Sequence, residues 1–239
     1  MNRDMTALVT GANKGIGLEI AAGLARLGYR VGVGARDDDR REVAVTKLRQ
    51  AGGDVFGVRL DVSSDESVAA AMLSLGDEVD HLDAVVNNAG ISGPTAAGAL
   101  QDPLDVPFSV IRADVETNVL GAMRVINGAL PLLQRSPSPR IVNVSTDMAS
   151  LALRTGPIMA AYAPSKTMLN AMTVQYARRF EGTGILVNAV CPGFTASDFT
   201  GHSGDRTPEQ GAAIAIRYAT LPDDGPTGAF YDDNGIVPW

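Results

Sequence analysis

Short apolar runs, rich in valine and bounded by Gly, Asn or Asp, recur along the chain at residues 6–10, 30–34, 55–61, 84–87, 141–145, 185–191 and 228–231. They show no clean polar alternation, which is the pattern of parallel strands covered on both faces. Stretches with helical spacing lie between them at 15–28, 38–51, 64–75, 107–134, 160–180 and 207–219. Repeated strand–helix alternation predicts right-handed βαβ units. The expected product is an α/β fold with a doubly wound parallel sheet of about seven strands, helices on both faces, and ligand chemistry at the carboxyl ends of the strands. Ser63-Ser64-Asp65-Glu66 reads as an N-cap region, and Thr207-Pro208-Glu209 puts proline at a first helical position. No internal repeat interrupts the pattern. The Ser136-Pro137-Ser138-Pro139 stretch reads as a loop into the fifth strand, so one domain over 1–239 is expected.

Composition narrows the function classes. The chain has 239 residues, a formal charge of -7 and one cysteine, Cys191. An acidic protein without a Lys/Arg cluster lacks the basic face that nucleic acid or an anionic membrane needs, so neither is an expected partner. One cysteine forms no internal disulfide, and the opening residues lack the apolar core of a signal peptide. No apolar run approaches the roughly 18 residues of a spanning helix. A cytoplasmic location is therefore expected.

The first strand runs straight into Thr10-Gly11-Ala12-Asn13-Lys14-Gly15-Ile16-Gly17 and then a helix. Glycines let the backbone turn tightly against a pyrophosphate, while free N–H groups and the positive helix end favour the anion. The first gap is one residue longer than in the common dinucleotide fingerprint, and the turn alone fits a ligand-free strand-to-helix connection as well. Its βαβ setting makes Gly11, Asn13, Lys14, Gly15, Ile16 and Gly17 dinucleotide-binding candidates. Where an enzyme that prefers a free ribose hydroxyl usually carries an acid, this chain has Ala35-Arg36. Lys14 and Arg36 can converge on a 2′-phosphate, which favours NADP(H) over NAD. The other reading of Arg36 is a solvated cation beside Asp37-Asp38-Asp39.

Tyr162 and Lys166 are four residues apart and share one face of the predicted helix. A phenol near pKa 10 is a poor base at neutrality, but an ammonium about 4 Å away attracts the phenolate by roughly 4 kcal/mol at an effective dielectric near 20. The expectation is a phenol of lowered pKa. Tyr-x-x-x-Lys alone usually marks a helix surface pair; its position after the fifth strand turns it towards the same cleft as the glycine turn.

Taken together, the motifs resemble the short-chain dehydrogenase/reductase family in its carbonyl-reductase-like form: Thr10-Gly11 with Gly15-Ile16-Gly17, Asp61-Val62, Asn87-Asn88-Ala89-Gly90, Asn118, Tyr162 with Lys166, and Pro192-Gly193, in the family order over roughly residues 5 to 198. The resemblance implies a single-domain Rossmann fold and hydride transfer between a nicotinamide and a carbonyl or alcohol carbon. It implies that Asp61 bonds the adenine amino group with Val62 lining that pocket, and that Asn87, Ala89 and Gly90 border the adenosine ribose. Tyr162 becomes the proton donor. Lys166 lowers its pKa and holds the nicotinamide ribose, while Asn118 positions a water that links Lys166 to solvent. Pro192, Gly193 and Thr195 lie against the carboxamide. The helices around Asn118 and Lys166 are the family's dimer surface, so a homodimer or homotetramer is expected.

Two departures stand out. The family's catalytic serine falls here on Thr146, which keeps a hydroxyl donor but adds a methyl; Ser145 is the alternative, though adjacent strand residues face opposite sides, which favours Thr146. The interval from Thr146 to Tyr162 is longer than usual, and its Met148, Leu151, Leu153 and Met159 fit either a substrate lip or packing of the loop. Residues 194–206 resemble the family's substrate loop. His81 and His202 have no metal-ligand spacing and no metal is expected; Cys191 reads as a small buried hydrophobe. The expected activity is NADPH-dependent reduction of a small-molecule ketone or aldehyde. The rivals are a non-catalytic NADP-binding regulator, motivated by Thr146, and an NAD-linked alcohol dehydrogenase, motivated by Arg36.

Overall fold

The computed structural model describes residues 5–93 and 100–239, so the first four residues lie outside it. In chain order it runs β1 (Met5–Thr10), α1 (Gly15–Arg26), β2 (Tyr29–Ala35), α2 (Asp38–Gln50), β3 (Val55–Arg59), α3 (Asp65–Glu78), β4 (Ala84–Asn87), α4 (Phe108–Val115), α5 (Gly121–Leu133), β5 (Arg140–Val144), α6 (Tyr162–Arg179), β6 (Leu186–Val190), α7 (Pro208–Ala219), β7 (Phe230–Asp232) and β8 (Gly235–Ile236). Helix starts follow the polar signals in the sequence. Asp37 accepts from the Arg40 amide at 2.9 Å, Ser64 from the Ser67 amide at 3.1 Å, and Thr207 and Gln210 form a reciprocal box.

The strands form one sheet in the order β3-β2-β1-β4-β5-β6-β7-β8. All neighbours are parallel except the β7–β8 pair. Successive residues of a strand feed opposite cores, because side chains alternate across the pleat. Ala7 and Val9 pack with Ile20 and Leu24 of α1, Leu48 of α2 and Ile214 of α7. Leu8 and Val85 pack with Leu75 of α3, Val125 and Leu133 of α5 and Phe180 just beyond α6. This is the expected Rossmann layering.

Two expectations need correction. The sheet has eight strands rather than about seven, because β8 turns back antiparallel after Asp232 and is only two residues long; so short a segment carries no hydrophobic pattern. The helix expected over 107–134 divides into α4 and α5 around a π-helical turn at Glu116–Leu120.

The chain builds β2 and β3 to one side of β1, then crosses to β4 on the other. A crevice opens at such a reversal, outside the carboxyl ends of β1 and β4. The approach there is tight. A Cβ on Gly17 would lie 2.3 Å from the Gly11 carbonyl oxygen and 2.4 Å from Asn88 Nδ2, and one on Gly11 would lie 2.9 Å from Ala89 Cα. Gly76, in the last turn of α3, has nothing within 4 Å of such an atom. Gly17→Ala is therefore expected to lose about 1–3 kcal/mol of stability, whereas Gly76→Ala gains about 0.5–1 kcal/mol from reduced chain entropy. Denaturant midpoints check both, and equal shifts would contradict the packing described.

Candidate active site

The glycine turn is held by the segment after β4. Gly11 and Gly15 take φ of +63° and +53°, a region that favours glycine. Asn88 Nδ2 donates to the Thr10 and Gly11 carbonyls at 3.0 and 3.2 Å, and Thr10 Oγ1 accepts from the Asn88 and Ala89 amides at 3.0 Å each. Unlike α2, α3 and α7, α1 has no side-chain cap: Lys14 occupies the cap position with extended backbone, and the first turn holds no acid. Its N–H groups and positive end therefore face the crevice between Gly11 and Gly17 without a side-chain partner, a fit for an anionic pyrophosphate. Ile16 packs on the α1 side of the core, and Asn13 lines a neighbouring hollow.

That hollow, about 380 Å³, is lined by Asn13, Lys14, Asp39, Arg40, Val43 and Asp198. Arg40, in the first turn of α2, lines it together with Lys14. Arg36 is exposed, and its charge acts on Asp61 at the end of β3. Lys14 itself pairs with Asp198 at 2.8 Å. Arg36 precedes the α2 cap residue Asp37, and Arg40 lies in the first turn of that helix. Asp61 accepts from the Ser63 hydroxyl at 2.6 Å and amide at 3.0 Å, and that hydroxyl bond chiefly holds its carboxyl below the ordinary range. Val62 is buried against Gly121.

The π-helical turn brings Asn118 inward, in keeping with the frequent use of π-bulges at functional sites. Asn118 bonds both backbone groups of Ile91 at 2.8 Å and donates to Ser165 Oγ at 2.9 Å. A Cβ on Gly90 would lie 3.1 Å from Asn118 Oδ1 and 3.4 Å from Lys166 Nζ, so both side chains approach the loop after β4 at Gly90. Asn87 turns into the sheet, where its Nδ2 donates to Asn143, which in turn donates to Thr173. Tyr162 opens α6, one turn from Lys166. The start of α6 is capped from afar: Gln101 Oε1 accepts from the Ala161 and Tyr162 amides at 2.9 and 3.0 Å, while its Nε2 donates to Ser92 O at 2.7 Å. The sequence reading missed Gln101, which lies about sixty positions before its helix and has no local signature; it also quoted Asn88 without giving it a role.

Beyond β5, Ser145 is buried and its hydroxyl has no hydrogen-bond partner among the described residues, whereas Thr146 is partly exposed, and its Oγ1 donates to Asp147 Oδ1 at 3.1 Å. Beyond β6, Thr195 is buried against Gly211 and donates to the Gly193 carbonyl at 3.1 Å, while Pro192 is buried. The 194–206 segment folds on itself through a short turn at Asp198–Thr200, and the Phe199 ring lies 5.4 Å from that of Tyr162. Cys191 is buried and accepts from the Asp147 amide, and burial pushes its thiol up to about 11. It is no nucleophile at neutrality.

Electrostatics correct the expectation for the phenol. Lys166 Nζ donates to the Val144 carbonyl at 2.8 Å, and burial, followed by Cys191, Asp114 and Asp147, raises Tyr162 above the ordinary phenol value. Burial lowers Lys166 to about 8 against the pull of Asp114. Asp114 of α4 is wholly buried, and among the described residues neither carboxylate oxygen has a partner at full hydrogen-bond geometry. Burial raises it to about 6, opposed by the nearby Gly93 amide and Lys166. A carboxyl raised in the fold carries no penalty below the unfolded pKa and its full penalty above the folded one. The stability of Asp114→Asn relative to the wild type should thus improve by up to about 3 kcal/mol between about pH 4 and pH 8. Denaturant midpoints at both values check this, and a constant difference would contradict it.

Known proteins share this fold. The family model described as short chain dehydrogenase matches residues 5–207. Short-chain dehydrogenase/reductase 1 of Saponaria officinalis is 33% identical over 98% of this chain and 95% of its own length. Carbonyl reductase [NADPH] 1 of Mus musculus is 33% identical over 98% of each. Among solved structures, the Pseudomonas aeruginosa RhlG/NADP active-site complex superposes with a TM-score of 0.84 at 31% identity, covering 96% of this chain and 94% of that one. With its glycine turn, its Asn118, Tyr162 and Lys166 and its doubly wound sheet in the family order, the chain belongs to the short-chain dehydrogenase/reductase family of oxidoreductases acting on carbonyl or alcohol groups.

Proposed function

We propose that this oxidoreductase uses NADPH to reduce a ketone or aldehyde, with Tyr162 as the proton donor, and that the reverse alcohol oxidation is open to it. The observation that carries the reading is the approach of Lys166 and Asn118 to Gly90, one turn of α6 from Tyr162, with the neighbouring Ala89 packed against Gly11 of the glycine turn. The mouse relative, a carbonyl reductase by name, supports the choice of substrate and cofactor. A nicotinamide dinucleotide, when bound, supplies the hydride. Gly11, Asn13, Lys14, Gly15, Ile16 and Gly17 would hold its phosphates, Asp61 and Val62 its adenine, Asn87, Ala89 and Gly90 the adenosine ribose, and Pro192, Gly193 and Thr195 its carboxamide side.

The protein's own part is orientation and proton supply. A phenol whose pKa is raised by burial stays protonated at neutrality, which suits donation to a carbonyl oxygen and hence reduction. Thr146 would polarise that oxygen by turning its hydroxyl from Asp147. Asn118 anchors the start of α6 through Ser165, whose hydroxyl donates to the Tyr162 carbonyl at 2.6 Å. Lys166 holds a positive charge below the cleft.

Tyr162→Phe is expected to lower kcat for carbonyl reduction about 10²–10⁴-fold with little change in NADPH affinity. Unchanged turnover would remove the tyrosine from the mechanism. A wild-type protein that binds NADPH yet turns over no carbonyl would favour the regulator reading. Lys14→Ala with Arg36→Ala should raise the NADPH Michaelis constant by about tenfold or more and leave that for NADH unchanged, since each charge-assisted contact contributes about 1.5–3 kcal/mol. Equal constants before and after substitution would favour the NAD-linked alternative, to which the Lys14–Asp198 pair lends an observation of its own.

A further inference from the structure

We propose that Asp198 is a specificity-determining residue: its carboxylate competes with the ribose 2′-phosphate of the cofactor for Lys14, and thereby links the phosphate to the loop that packs on Tyr162. The inference rests on the NADPH reading above and deepens it.

Asp198 leaves the substrate loop to reach back over the glycine turn. Its Oδ2 lies 2.8 Å from Lys14 Nζ and its Oδ1 3.0 Å from His202 Nε2, while Gly15 faces Ser197, the preceding residue. The Lys14 hydrogen bond, with the charges of Lys14, His202 and Arg40, holds Asp198 below the ordinary carboxylate range, so it is ionised at neutrality. Around the hollow, two cations, Lys14 and Arg40, face two carboxylates, Asp39 and Asp198. Asp198 thus offsets the attraction that Lys14 offers a phosphate.

Magnitudes favour displacement. Lys14 and Asp198 are 50% and 44% exposed, and ion pairs in such settings are weak. A phosphate monoester carries about -1.5 to -2 charge and three acceptor oxygens, so it outcompetes a single carboxylate. Breaking the pair nevertheless subtracts from the binding of the phosphorylated cofactor and leaves that of its unphosphorylated counterpart untouched. The residue thus narrows the preference for NADPH.

The consequence reaches the chemistry through one turn of chain. Asp198 and Phe199 are adjacent in the turn Asp198–Thr200, which is fastened by the Ser197 amide donating to Thr200 Oγ1 and by that hydroxyl donating to the Thr195 carbonyl. Withdrawing Asp198 from Lys14 moves a braced unit, and with it the ring that lies 5.4 Å from that of Tyr162. The phosphate then influences how the substrate meets the proton donor.

The experiment measures dissociation constants of NADPH and NADH, by fluorescence titration at low ionic strength, for the wild type, Asp198→Asn, Lys14→Ala and the double variant. Asp198→Asn should tighten NADPH about 2–5-fold and leave NADH unchanged, and the gain should vanish in the Lys14→Ala background and at high salt. If Lys14→Ala weakens NADPH while Asp198→Asn changes nothing, or if Asp198→Asn tightens both cofactors equally, the competition is overturned and the NADPH reading stands. If Lys14→Ala leaves NADPH affinity unchanged, the lysine does not bind the phosphate, and both fall. Asp198→Ser, which also removes the charge, should reproduce the asparagine result; a different selectivity would overturn a charge-based account.

Discussion

Gly17 has room for a hydrogen and nothing larger, because the Gly11 carbonyl and the Asn88 amide occupy the space where a side chain would begin. That contact fixes how closely α1 lies against the end of β4, and with it the width of the crevice. Asn88 and Thr10 then lock the turn by four hydrogen bonds in which each segment satisfies the other's backbone. The N–H groups at the start of α1 are left without a side-chain partner as a result. The binding end of the protein and its fold are in this sense one constraint.

The side chains proposed to take part in the reaction are held by a second, polar layer. Lys166, Asn118 and Asp114 lie in or near the protein interior, and each is fixed or perturbed by the loop after β4: Gly90 over Lys166 and Asn118, Ile91 bonded to Asn118, Gly93 facing Asp114. Gln101 ties the same loop to the first amides of α6. Burial dominates the titration of all three ionisable groups, Tyr162, Lys166 and Asp114, and drives each toward its neutral form. A neutral phenol is the form able to donate a proton.

Much of this was legible in the sequence because it is local. Valine-rich runs alternating with amphipathic stretches specify a covered parallel sheet, and Ser64, Thr207 and Pro208 announce helix starts within one turn. The glycine turn and the Tyr162–Lys166 spacing were likewise readable within a few residues. What escaped depends on distant partners. The π-helical turn at Glu116–Leu120 has the same apolar periodicity as an unbroken helix. Gln101 reaches α6 across sixty positions, and Asp198 reaches Lys14 across far more. The direction of the phenol's pKa was misjudged because spacing on a helix reveals proximity to Lys166 but neither the Val144 carbonyl that the ammonium bonds nor the extent of burial.

The central claim is that hydride passes between a dinucleotide and a carbonyl carbon in the cleft above Tyr162. Its most direct measurement is isotope transfer, with NADPH carrying deuterium in both nicotinamide C4 positions and a ketone as acceptor. The account predicts deuterium at the carbinol carbon of a single face of the product, with none arriving there from heavy water. Consumption of the ketone without that label, or label taken up from solvent at carbon, would contradict it.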